Sequence, residues 1–137
     1  MIYVVIDTNV LVSALLTRNE DAATVKVLGL VFSGEITPLY SNETMKEYKE
    51  VLSRQKFGFS PDIINYVISA IGRFGIQVEP TSKGVTLIDM DDLPFYEIVL
   101  EKQDEPAFLV TGDIKHFTKE PFIVTPSEFL NIIKNLK

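Results

Sequence analysis

The stretch Ile2-Tyr3-Val4-Val5-Ile6-Asp7-Thr8-Asn9 opens as an unbroken apolar run rich in β-branched residues and ends abruptly on an aspartate. A strand with one face in water alternates apolar and polar residues. A strand covered on both faces has no need to, and such strands belong to parallel sheets. The run therefore predicts a buried parallel strand over Ile2–Ile6. Ala107-Phe108-Leu109-Val110-Thr111 repeats the pattern and again meets an acid, in Thr111-Gly112-Asp113. Shorter strands are expected at Thr37–Tyr40, Ile76–Val78 and Ile123–Val124.

Helical patterns fill the intervals. One helix is expected within Asn9–Thr17 and a second from about Asp21 to Ser33, stopped by Gly34. Ser41 or Asn42 can cap a third, whose Met45, Tyr48 and Leu52 share an inward stripe. Ser60-Pro61 opens a fourth, with Ile64, Val67, Ile68 and Ile71 on one face and Gly75 as its stop. A fifth starts at Pro94 and runs to about Lys102. Thr125-Pro126-Ser127-Glu128 is a capping box that opens the last, with Phe129, Ile132, Ile133 and Leu136 facing inward. Strands that alternate with helices predict an α/β domain, with a mostly parallel sheet of four or five strands and helices on both faces.

The chain of 137 residues suits one domain, 1–137. It has no cysteine, which excludes disulfides, thiolate metal sites and cysteine nucleophiles. His116 is its one histidine, so a multi-histidine metal site is impossible. Nineteen acidic residues against 13 basic ones leave a net charge of −6, which repels nucleic acid unless cations intervene. Apolar runs such as Leu28–Phe32 fall far short of the roughly 20 residues of a membrane span. The N-terminus has no basic n-region, so no signal peptide is read and a cytoplasmic protein is expected.

In open α/β sheets, ligands sit beyond the carboxyl ends of the strands. If both long strands are central, Asp7 and Asp113 converge there. Like charges brought together cost free energy unless a cation neutralises them, so the pair points to a divalent-metal site with oxygen ligands. Helix capping is the plainer alternative for each. A third acidic group, Asp89-Met90-Asp91-Asp92, precedes Pro94, where the helix dipole alone would favour acids. Helix angles select a fourth candidate. With 100° per residue, Glu47 lies on the flank of the inward stripe of the third helix, while Glu50 points to solvent. An ion pair with Lys46 or Lys49 is the alternative for Glu47. His116 is placed at the rim of the crevice. Ser13 and Thr111 are small hydroxyls near the strand ends, as suited to a turn as to a ligand.

Val5-Ile6-Asp7-Thr8-Asn9-Val10, the helix from Ser41 to Leu52 containing Glu47-Tyr48-Lys49-Glu50, Asp92-Leu93-Pro94-Phe95 and Leu109-Val110-Thr111-Gly112-Asp113 occur in the order of the PIN domain, which the chain resembles over about residues 2–135. The resemblance is closest to VapC-like toxins of toxin–antitoxin pairs. It implies a three-layer α/β/α sandwich and an RNA-cutting hydrolase dependent on Mg2+ or Mn2+. Asp7, Glu47, Asp92 and Asp113 would be its catalytic metal ligands, and Asn9 would support Asp7. It also implies a homodimer and an antitoxin partner. Lys115-His116 stands where the family usually has a further acid or asparagine, which implies a weaker or differently built second metal site.

Arg18, Arg54, Lys56, Lys115 and Lys119 are candidates for flanking phosphates. Two other functions compete. A haloacid-dehalogenase-like phosphatase would need an acid two residues after Asp7, where Asn9 stands. A non-catalytic scaffold of the same fold would be expected to lack one of the four acids.

Overall fold

The computed structural model describes residues 1–82, 84, 85, 87, 90–117 and 119–136. Among these residues, five strands form one parallel sheet. In chain order they are β1 (Tyr3–Ile6), β2 (Thr37–Tyr40), β3 (Ile76–Gln77), β4 (Ala107–Val110) and β5 (Ile123–Val124), and in space they lie in the order β3-β2-β1-β4-β5. Tyr3 pairs with Thr37 on one side and with Ala107 on the other, so β1 is the middle strand. The chain builds outward from β1 through β2 to β3, then crosses back to lay β4 and β5 on the far side. The strand order therefore reverses between β1 and β4, and the crevice at their carboxyl ends is where such folds bind ligands.

Among the described residues, six helices cover the two faces: α1 (Thr8–Leu16), α2 (Ala23–Phe32), α3 (Asn42–Leu52), α4 (Pro61–Phe74), α5 (Leu93–Glu101) and α6 (Pro126–Leu136). This is the three-layer α/β/α arrangement expected from the sequence. Val4, Val5 and Ile6 of β1 and Leu109 and Val110 of β4 are fully buried, as their unbroken apolar runs predict. Ser41 caps α3 by accepting from the Thr44 amide at 3.1 Å, and Ser60 caps α4 through Ile63. Gly75 ends α4 under steric necessity. A Cβ there would lie 2.4 Å from the Ile71 carbonyl oxygen and 2.5 Å from that of Pro38.

The structure departs from the sequence reading in three places. The second helix starts at Ala23, because the Asn19 side chain accepts the Asp21 amide at 2.9 Å in a turn that delays the helix. Leu136, expected inward, is 60% exposed, since the last turn of α6 runs beyond the elements that cover Phe129 and Ile133. Short 3-10 turns at Gln55–Phe57, Met90–Asp92 and Ile114–His116 were not expected, since three residues carry no readable period.

Candidate active site

Asp7 follows the last residue of β1 and precedes the first residue of α1. Its backbone occupies the N-cap position, yet its side chain makes no cap hydrogen bond. Instead Oδ2 accepts from the Thr111 hydroxyl at 2.7 Å, and the same Thr111 oxygen accepts from the Asp113 amide at 3.0 Å. Asn9, on the first turn of α1, donates its amide to Asp113 Oδ2 at 2.7 Å. One threonine and one asparagine thus tie the end of β1 to the loop after β4. The parallel register, with Ile6 opposite Val110, brings these partners level.

Glu47 enters from α3. It is half-buried, and Thr8 Oγ1 donates to its Oε2. Among the described residues it pairs with neither Lys46 nor Lys49. Glu50 is exposed and pairs with Arg54 at 2.9 Å, one turn on. The helix-angle reading therefore separates the two glutamates correctly, and Arg54 is engaged by Glu50. The turn below Glu47 is anchored by Tyr48, whose buried hydroxyl donates to the Ile6 carbonyl, one residue before Asp7. Asp92 stands just before α5 with its side chain 16% exposed, and His116 Nδ1 lies 3.5 Å from its Oδ2. Asp91, on the same turn, is close enough to Glu47 to repel it. Asp89 lies outside the described residues. Ser13, one turn along α1 from Asn9, is exposed, and among the described residues its hydroxyl reaches none of these acids.

The electrostatics carry the mark of crowding. The Asp7 carboxyl is raised from 3.8 to about 6: burial is the largest cause and Asp92 and Asp113 add to it, while the Thr111 hydroxyl and the Thr8 amide pull against them. Glu47 is raised as well, by burial first and then by Asp7, Asp91 and Glu50, against the opposing bond from Thr8. Burial first, and then the charges of Asp7 and Glu47, also raise the Tyr48 phenol well above its usual range. Two elements of this site escaped the sequence reading. Thr8 and Tyr48 act across long sequence separations, and nothing in their local sequence announces the partner. As the side chains stand, no group of three acids or histidines among the described residues is close enough to hold one ion.

A buried aspartate at the end of the central strand, with further acids brought to the same reversal of strand order, defines an α/β protein with an acidic strand-end crevice. A PIN domain family model matches residues 3–115, and the chain belongs to that family. PIN domains are in general nucleases, hydrolases that act on nucleic acid, and typically use divalent metal ions. No curated protein and no solved structure matches the chain. Among the described residues, no helix is long and apolar enough to cross a membrane.

Proposed function

We propose that this protein is a Mg2+- or Mn2+-dependent endoribonuclease, the toxin of a toxin–antitoxin pair, acting in the cytoplasm as a single domain over 1–137. The observation that carries this reading is the gathering of carboxylates from β1, α3, the start of α5 and the loop after β4. At least two of them are raised by burial and mutual repulsion. Such a cluster works against stability, and a bound cation reverses its sign. We assign Asp7, Glu47, Asp92 and Asp113 as the catalytic cation ligands, with Ser13 and His116 at the rim. Hard carboxylate oxygens suit Mg2+ and Mn2+. Bringing three of them onto one ion takes side-chain rotation from their present placement.

Asp7, Glu47, Asp92 and Asp113 would hold a divalent ion, which would lower the pKa of a water and offset charge on the phosphate. The chain's own residues prepare the ground. Thr111 holds one oxygen of Asp7, Asn9 one oxygen of Asp113 and Thr8 one oxygen of Glu47. Each of these three bonds fixes one oxygen of its carboxylate. Because the substrate meets the cation first, the net charge of −6 does not bar RNA.

A homodimer and a cognate antitoxin both need apolar surface. On α2, Val27 and Val31 are fully buried, while Leu28 and Phe32 border α4. The open surface is on α4, where Tyr66 is 66% exposed and Ile63 46%. Together with Leu15, Leu28, Phe32 and Val67 they line a groove of about 410 Å3, to which we assign an amphipathic partner helix.

The test is hydrolysis of single-stranded RNA by the full chain with Mg2+, with Mn2+ and with EDTA. Cleavage should need the cation and vanish in Asp7→Asn. No cleavage, together with no Mn2+ binding by calorimetry at millimolar concentration, would leave the scaffold reading in its place.

A further inference from the structure

Beside Glu47 the acidic site opens into a second space. A crevice of about 540 Å3 runs between α3 and the turn leading into α5, within the range of roughly 300–1,000 Å3 usual for small-ligand sites. Its walls are of three kinds. Met90, half-exposed, and Pro94 offer apolar surface above the buried ring of Phe95. Glu43 and Glu47, four residues apart on α3, present carboxylates along one side. Lys46 supplies a cation at the rim. The crevice also touches Thr44, Asp91 beside Met90, and Glu50, whose carboxylate is engaged by Arg54.

A bare phosphate does not suit a slot where acceptors outnumber cations. A basic side chain of another protein would meet the acids but leave Lys46 facing like charge. A nucleotide whose base carries adjacent N–H donors satisfies all three walls at once. Its flat face lies on Met90 and Pro94, its donor edge meets a carboxylate, and its phosphate meets Lys46. Guanine alone among the four RNA bases presents N1–H and an N2 amino group side by side, the geometry that a carboxylate accepts with both oxygens. We propose that this crevice is a guanosine subsite next to the proposed cleavage centre, in which Glu43 reads the base edge and Lys46 holds the phosphate. This rests on the ribonuclease reading of the adjoining site, and it gives that activity a preference for single-stranded RNA with guanosine beside the cut.

The probes are 5′-GMP and 5′-IMP, which differ only in the 2-amino group, titrated into the 15N-labelled full chain. Amide shifts at Glu43, Lys46 and Met90 should report GMP binding at least about fivefold tighter than IMP, in line with the discrimination a bidentate base contact supplies. Glu43→Gln should abolish the difference, and Lys46→Gln should weaken both nucleotides alike. Equal binding of GMP and IMP, or shifts at these amides only with an arginine-rich peptide, would overturn the subsite. The readout is independent of hydrolysis. Cleavage without nucleotide discrimination sinks only the subsite, and discrimination without cleavage sinks only the nuclease reading.

Discussion

Replacing Asp7 by asparagine should stabilise the metal-free protein at neutral pH while ending its response to divalent cations. Asp7 is 5% exposed, and its carboxyl titrates at about 6 in the folded chain against 3.8 without burial. The folded state therefore holds this proton more tightly than the unfolded chain does. The stabilisation of the protonated form is fully present below 3.8 and is lost as pH rises through about 6. At about 1.4 kcal/mol per pH unit, the gap is worth about 3 kcal/mol at pH 7.5. Asparagine keeps the size of the side chain and can still accept from Thr111 through its amide oxygen, but it never ionises.

The amide is itself a buried polar group, so about 3 kcal/mol is an upper bound, and a gain of about 1–3 kcal/mol corresponds to roughly 3–10 °C in Tm for a domain of this length. Thermal melts followed by circular dichroism in EDTA, from pH 4 to 8, measure this directly. The variant should melt higher at pH 7.5, and the two curves should converge near pH 4. Millimolar Mn2+ should then raise the Tm of the wild type and leave the variant unmoved. A variant that melts lower at pH 7.5, or a difference constant from pH 4 to 8, would make Asp7 a structural partner and remove the electrostatic basis of the site.

Four further substitutions separate roles that the geometry distinguishes. Glu47→Gln should abolish RNA cleavage, whereas Glu50→Gln, which breaks only an exposed pair with Arg54, should leave activity intact and stability within about 0.5 kcal/mol in urea unfolding. Thr111→Val removes a fully buried hydroxyl that donates to Asp7 and accepts from the Asp113 amide. It should cost about 1–3 kcal/mol in the same assay and raise the apparent pKa of Asp7 in an NMR titration. Gly75→Ala drives a methyl into two carbonyl oxygens at the end of α4 and should cost about 1–3 kcal/mol by urea unfolding, with the acid cluster untouched.

Much of this architecture could be read along the chain because it depends on local physics. Ile2–Ile6 and Ala107–Thr111 announce buried strands since a strand covered on both faces has no polar side to show. Ser41, Ser60 and Gly75 mark helix ends since backbone groups there need a cap or room. The 100° advance per residue separates Glu47 from Glu50, because both lie on one helix whose inward stripe is visible in its own sequence. The relations across the sheet could not be read that way. Local sequence does not say that β4 pairs with β1 rather than with β3, and it is this pairing that sets Thr111 against Asp7 and Asn9 against Asp113. The bond from Thr8 to Glu47 spans 39 residues and that from Tyr48 to Ile6 spans 42, so both exist only once α3 has docked beside β1. The raised carboxyl of Asp7 belongs to the same class. Its causes are burial and the charges of Asp92 and Asp113, distant in sequence and brought near by packing, and desolvation is a property of the packed interior rather than of any stretch of chain.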